Sequence, residues 1–345
     1  MIEAHFGETP ALSLGVEEEL MILDAETLDP VGAVEVLLRG TRGLDLPGSL
    51  KTEMHASVIE LNTGICGDVA EAVAALRELR LAADRVARAN GLVVAAAGAH
   101  PTVSLESLPV VQEERYIEMI RRVGFAARRQ GVNGLHVHVG VESAERCYER
   151  LEAVLPWLPV VLALSANSPY VEGVDTGMQS VRAGVLAELP RSGAPPAFGS
   201  YEAWEAWVER LVALGVLADY TRIWWDVRPH PKLGTLELRI ADQPTSLART
   251  ELLVRMLRDL VERAPSATEM PRGDYAQNRW AAARFGLDAQ LIAPDGTSLV
   301  PARELARQLL GAEPPEPEAA AQRDAFPSVA ADLVVRTLDG IDHLT

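Results

Sequence analysis

Four short stretches of the chain set acidic or imidazole side chains at alternate positions. They are Gly15-Val16-Glu17-Glu18-Glu19, the run from Glu53 to Glu60, His136-Val137-His138 and Glu237-Leu238-Arg239. In a strand, residues i and i+2 point to one side. Glu17 therefore shares a face with Glu19, His136 with His138, and Glu237 with Arg239. Four or more carboxylates brought together repel one another unless divalent cations neutralise them. The chemistry implied is a site for Mg²⁺ or Mn²⁺, and such sites usually handle phosphate.

Each stretch also has a plainer explanation. Glu17 and Glu19 could form a solvated acidic edge, but Leu12, Leu14, Val16, Leu20, Ile22 and Leu23 around them point to burial. Glu60 stands between Ile59 and Leu61, so it faces either water or a cation, because an unpaired buried charge costs several kcal/mol. His136 and His138 could be hydrogen-bonded core residues or, as H-x-H, zinc ligands. With no third histidine nearby and many carboxylates elsewhere, a hard, oxygen-preferring ion suits them better. Glu237 and Arg239 taken alone could be a cross-strand ion pair. Arg182, Arg228 and Arg239 are candidate anion clamps. No G-x-x-x-x-G-K-[ST] loop occurs and no G-x-G-x-x-G follows a strand, so any nucleotide binds in another way.

The elements that must position these residues are strands at 12–23, 56–63, 92–97, 134–140, 222–228 and 235–241. Between them the pattern predicts a helix from Asp68, with Glu71 three residues on as a cap, to the stop at Asn90-Gly91. Further helices are expected at 111–130, 143–166, 201–215 and 319–338. Residues 313–318, Glu-Pro-Pro-Glu-Pro-Glu, read as a surface linker. The Ser-, Pro- and Gly-rich stretch 167–200 is irregular and long enough to be functional, as a cover that keeps water from the site. Strands clustered at irregular intervals favour an α+β fold with a mostly antiparallel sheet. One domain over residues 1–345 is expected, with a C-terminal helical segment from about 300 to 345.

Composition narrows the partners. A net charge of −17 argues against nucleic acid or an anionic membrane as partner. Lys51 and Lys232 are the only lysines, an arginine bias that a GC-rich genome explains more simply than function does. Cys66 and Cys147 lack the spacing of a disulfide framework or thiolate zinc site. The N-terminus has no basic region followed by an apolar run, and the apolar segment 154–166 is too short to span a bilayer. A cytoplasmic protein is expected.

Taken in order, G-x-E-x-E, E-x₆-E, an H-x-H strand after Asn133-Gly134 and a late E-x-R strand resemble the glutamine synthetase/glutamate–cysteine ligase superfamily. The chain looks most like the bacterial type 2 glutamate–cysteine ligases, the carboxylate–amine ligases. Supporting matches are residues 131–140, 164–169, 195–200, 224–229 and Asn278-Arg279-Trp280, so the likeness runs from about residue 10 to 290.

The resemblance implies a curved, mainly antiparallel sheet packed with helices, binding ATP at one end and an amino acid at the other, with divalent metals between. Glu19, Glu53 and Glu60 would hold the metal nearer the substrate. Glu17, His136 and Glu237 would hold the one that bridges the ATP phosphates. Arg239 would stabilise the transferring phosphoryl group, Arg228 and Arg182 would bind carboxylate or phosphate, and His138 would lie by the nucleotide. The implied reaction is that of a weak glutamate–cysteine ligase, forming γ-glutamylcysteine through an acyl phosphate. Cysteine as the amine, and assembly into homodimers, follow from the resemblance alone. The rivals are a guanidino-kinase-type phosphotransferase on the same fold, a metal-dependent amide hydrolase that turns over without ATP, and a non-catalytic regulator.

Overall fold

The computed structural model describes residues 2–264 and 270–339. Its centre is one long strand, β1 (Leu14–Asp24). β2 (Gly48–Thr52) pairs with β3 (Val58–Thr63), and β3 pairs with one edge of β1. The other edge of β1 is shared: its first half pairs with β5 (Leu135–Gly140) and its second half with β4 (Leu92–Ala95). β7 (Thr235–Leu238) extends β5, and β6 (Val227–His230) completes the sheet. Every pairing in this seven-stranded sheet is antiparallel.

Alternation along β1 gives the sheet two unlike faces. Leu14, Val16, Glu18, Leu20 and Ile22 point back onto the helix Val69–Ala89, meeting its Leu76, Leu79 and Ala83. That helix starts as its sequence predicts: the Asp68 carboxylate accepts the Glu71 N–H at 2.9 Å, and Glu71 accepts from the Gly67 N–H at 2.7 Å. On the opposite face Met21 and Leu23 are roofed by Val329 and Leu333 of the helix Val329–Thr337. The roof stops there, and Glu17 and Glu19 stay open to a cleft.

Three expected elements differ. The helix over 111–130 is two pieces, Glu114–Val123 and Phe125–Arg128, parted at Gly124, whose φ of 75° an α-helix cannot continue. The helix over 319–338 is Glu318–Asp324 and Val329–Thr337, with Pro327 in the gap. The linker 313–318 ends in a buried Glu318, whose carboxylate accepts the Thr245 and Ser246 N–H groups at 2.8 and 3.1 Å, ahead of the helix Leu247–Arg263. Residues 340–345 of the expected C-terminal segment, and Met1 of the N-terminal reading, lie outside the described residues. Among the described residues, no helix is long and apolar enough to cross a membrane.

Candidate functional site

Strand register assembles the site. Across the sheet, Arg228 faces Glu237, Glu237 faces His138, and His138 faces Gly15. One pleat along, His136 faces Glu17 and Glu17 faces Asn62. A further pleat along, Glu19 faces Glu60 and Glu60 faces Lys51. Glu53 follows β2 directly. Their carboxylate, imidazole and guanidinium side chains line a cleft of about 310 Å³.

Two groups of donors form within it. Glu19, Glu53 and Glu60 each bring an oxygen within 4.8 Å of the other two. Burial, reinforced by the Glu53 charge, pushes the Glu19 carboxyl up to about 8. Burial and the charges of Glu17 and Glu53 hold Glu60 well above the usual carboxylate range. Asn62 donates to Glu60 at 2.7 Å and Lys51 donates to Asn62 at 3.0 Å, so the nearest lysine reaches Glu60 only through an amide. Three converging carboxylates, Glu19 buried and Glu53 and Glu60 half-buried, whose charges desolvation disfavours, fit a hard divalent cation.

The second group is Glu17, His138 and Glu237, again within 4.8 Å of one another. His138 Nδ1 meets Thr235 Oγ1 at 3.0 Å, while its Nε2 lies 3.5 Å from Glu17 with no hydrogen-bond partner. An imidazole nitrogen without a hydrogen-bond partner beside two carboxylates fits a divalent cation. The resemblance implied His136 here. His136 Nδ1 contacts the other Glu17 oxygen at 3.1 Å, so both imidazoles stand beside this group. Burial and the Arg239 charge lower His136 to about 4. Burial also disfavours charge on His138, but its contact with Glu17 and the Glu237 charge raise its pKa. Contacts with both histidines overcome burial and hold Glu17 well below the usual range. Arg228 and then Arg239 do the same for Glu237.

The arginines differ in how their donors are committed. Arg228 donates to both Glu237 oxygens, at 2.5 and 3.1 Å, and to the Thr221 and Ile223 carbonyls at 3.0 and 2.6 Å. With these donors committed it holds Glu237 in place, and it lines the cleft where it was expected to bind carboxylate or phosphate. Arg239 pairs with Glu237 and its charge also acts on Glu17 and Glu19, so it faces both groups of donors. Arg182, 3% exposed, donates to the carbonyls of Arg239 and Ile240 at 3.0 and 3.2 Å, and its Nε has no partner. It braces the backbone behind Arg239.

Gly134 lies between Arg182 and Glu19. Its N–H donates to Glu19 at 2.5 Å, and a Cβ there would sit 2.1 Å from an Arg182 nitrogen. Gly134→Ala is expected to cost about 1–3 kcal/mol of stability by overpacking and to lower turnover. Urea unfolding beside an activity assay checks it; an unchanged midpoint with full activity would mean that Arg182 is free to move.

The sequence reading passed over other lining residues: Arg115, Tyr116, Met119, Arg222, Trp224 and His230. Tyr116, Met119 and Trp224 resembled ordinary core positions. Lys51, two residues before Glu53 at the edge of the sheet, carried a signal in its i, i+2 spacing. The other matched motifs are struts. Asp242 accepts from the Asn167 N–H and from the Ser168 and Ser180 hydroxyls at 2.9, 2.7 and 2.7 Å. Asp226 accepts from Arg279 and Tyr275, each at 2.7 Å. The first half of the 167–200 stretch is thus a pinned wall.

Comparison with known proteins agrees with this architecture. Residues 13–334 match the family model described as glutamate-cysteine ligase family 2. A Rubrobacter xylanophilus protein named "Putative glutamate--cysteine ligase 2-3" is 41% identical over 314 residues, covering 90% of this chain and 85% of that one. The glutamate–cysteine ligase of Francisella tularensis, solved with AMP, superposes with a TM-score of 0.61 at 15% identity, covering 97% of this chain and 83% of that one. A bifunctional glutathione synthetase from Pasteurella multocida gives a TM-score of 0.61 at 18% identity, over 95% of this chain and 50% of that one. At such identities the structural likeness shows the fold, which is the glutamine synthetase-like ligase fold. With nearly the whole length matched and the close relative beyond two-fifths identical, the chain belongs to glutamate-cysteine ligase family 2.

Proposed function

We propose that this ligase uses ATP to join the γ-carboxylate of glutamate to an amine, with cysteine as the first candidate and γ-glutamylcysteine as its product. The observation that carries the reading is the pair of donor groups side by side on one sheet face, with Arg239 acting on both. The AMP in the Francisella tularensis enzyme supports nucleotide use on this fold. Mg²⁺ or Mn²⁺ suits both groups and, when bound, would offset the charge of phosphate and carboxylate oxygens.

The chain's own residues then have distinct tasks. Arg239 stabilises the charge spread over the phosphoryl group as a glutamate oxygen attacks the γ-phosphorus and the bond to ADP breaks. The neutral amine attacks the acyl carbon, the carbon–nitrogen bond forms, and phosphate leaves with the electron pair while a proton passes to solvent. Arg228 keeps Glu237 in place, and Arg182 keeps Arg239 in place. The pinned wall from Asn167 to Arg182 limits the water that could hydrolyse the acyl phosphate.

Phosphate release with ATP and Mg²⁺, measured across amino acids offered singly and in pairs, tests the proposal. Release that needs glutamate together with an amine is expected. Phosphorylation of an acceptor without free phosphate would mean a phosphotransferase, and amide cleavage without ATP a hydrolase.

A further inference from the structure

A second cavity, of about 390 Å³, opens beside the cleft and shares Met119, Arg222 and Trp224 with it as a common wall. Its other side is apolar, from Pro190, Val216 and Leu217. Three guanidinium groups belong to it. Arg122 is paired with Glu118 at 3.0 Å, whereas Arg191 and Arg222 have no carboxylate partner among the described residues. In a chain of net charge −17, two uncompensated cations at one cavity are a conspicuous surplus.

Backbone evidence points the same way. Arg191 sits at φ 60°, a left-handed conformation uncommon for a residue with a side chain, and its Nε donates to the Arg222 carbonyl at 3.3 Å. Its guanidinium lies 5.7 Å from the centre of the Trp224 ring. Ser192 and Gly193 pair with Trp224 and Trp225, tying this turn to the strand that leads into Arg228. The cavity wall is therefore held in register with the site.

Resting on the ATP-dependent glutamate ligation proposed above, but replacing cysteine as its acceptor, we infer that this cavity receives the acceptor amine, and that the acceptor carries a carboxylate together with an apolar group larger than the side chain of cysteine. Arg191 and Arg222 would take the carboxylate, Trp224 and Leu217 the apolar group, and the amine would point across the shared wall into the cleft. A cavity of this size matches a ligand larger than one small amino acid.

Equilibrium binding of phenylalanine and of phenylalaninamide to the full chain tests the cavity without any turnover. Phenylalanine should bind at least 10-fold more tightly than its amide, Arg191→Ala should remove that preference, and Arg191→Lys should restore part of it. Glutamate-dependent phosphate release with hydroxylamine, an acceptor too small to need the cavity, should stay within twofold in Arg191→Ala. Equal binding of acid and amide, a preference that survives Arg191→Ala, or an equal loss of hydroxylamine turnover would overturn the inference. Absence of glutamate-dependent release from the unaltered protein with every amine offered, hydroxylamine included, would instead remove the ligase reading, leaving the binding result to judge the cavity.

Discussion

Glu60→Gln is expected to cut glutamate-dependent phosphate release by about 10²–10³-fold or more, the scale of losing several kcal/mol of transition-state charge stabilisation. Without Mg²⁺ the same substitution should leave thermal stability unchanged or raised. Burial and the charges of Glu17 and Glu53 disfavour a charge on Glu60, so an amide relieves repulsion instead of breaking a pair. Mg²⁺ should stabilise the unaltered protein, by about 2.7 kcal/mol at a concentration 100 times the dissociation constant, and Glu60→Gln much less. Glu237→Gln should abolish turnover too but destabilise, because Arg228 and Arg239 lose their buried counter-charge. Melting curves with and without Mg²⁺ read all four quantities. Wild-type rates in both variants would falsify the metal assignment.

Arg80→Ala should be the most destabilising substitution away from the cleft, by about 3–5 kcal/mol. Arg80 and Glu18 are both fully buried and paired at 2.6 Å on the back of β1. Arg80 also donates to the carbonyls of Thr245 and Thr337 at 2.7 and 2.8 Å, which ties the C-terminal helix to the sheet. Glu18 accepts from Thr250 at 2.7 Å and from Gln243 at 3.1 Å, and Gln243 accepts the Glu19 N–H at 3.0 Å. Removing the guanidinium strands a carboxylate directly behind the two glutamates of the site. A urea midpoint within about 1 kcal/mol of wild type would show that water reaches Glu18. Replacing Arg80 and Glu18 together by methionine should recover most of the loss, since the penalty lies in the unpaired charge.

Much of the site could be read from the chain because strand alternation is a local rule. Glu17, Glu19, Glu60 and Glu237 needed only the period of two and apolar neighbours to be placed on one face. That rule could not tell His136 from His138, since both share that face and only cross-strand register sets His138 against Glu237 and His136 against Glu17. Two partners of Arg228, the Thr221 and Ile223 carbonyls, were not legible because they come from a turn with no periodic signature. Arg191 and Trp224 were invisible as neighbours for the same reason. The break at Gly124 was present in the sequence, but the apolar spacing on either side concealed it.

β1 also works as a ruler. Glu17 and Glu19 head the two donor groups from positions one pleat apart, so their anchor points stand about 6.8 Å from each other along the strand. That interval is set by bond lengths and φ/ψ angles and lies beyond the reach of side-chain substitution. A descendant with a longer acceptor or a different acid must change the loops around the cleft and leave the gauge between its two donor groups untouched.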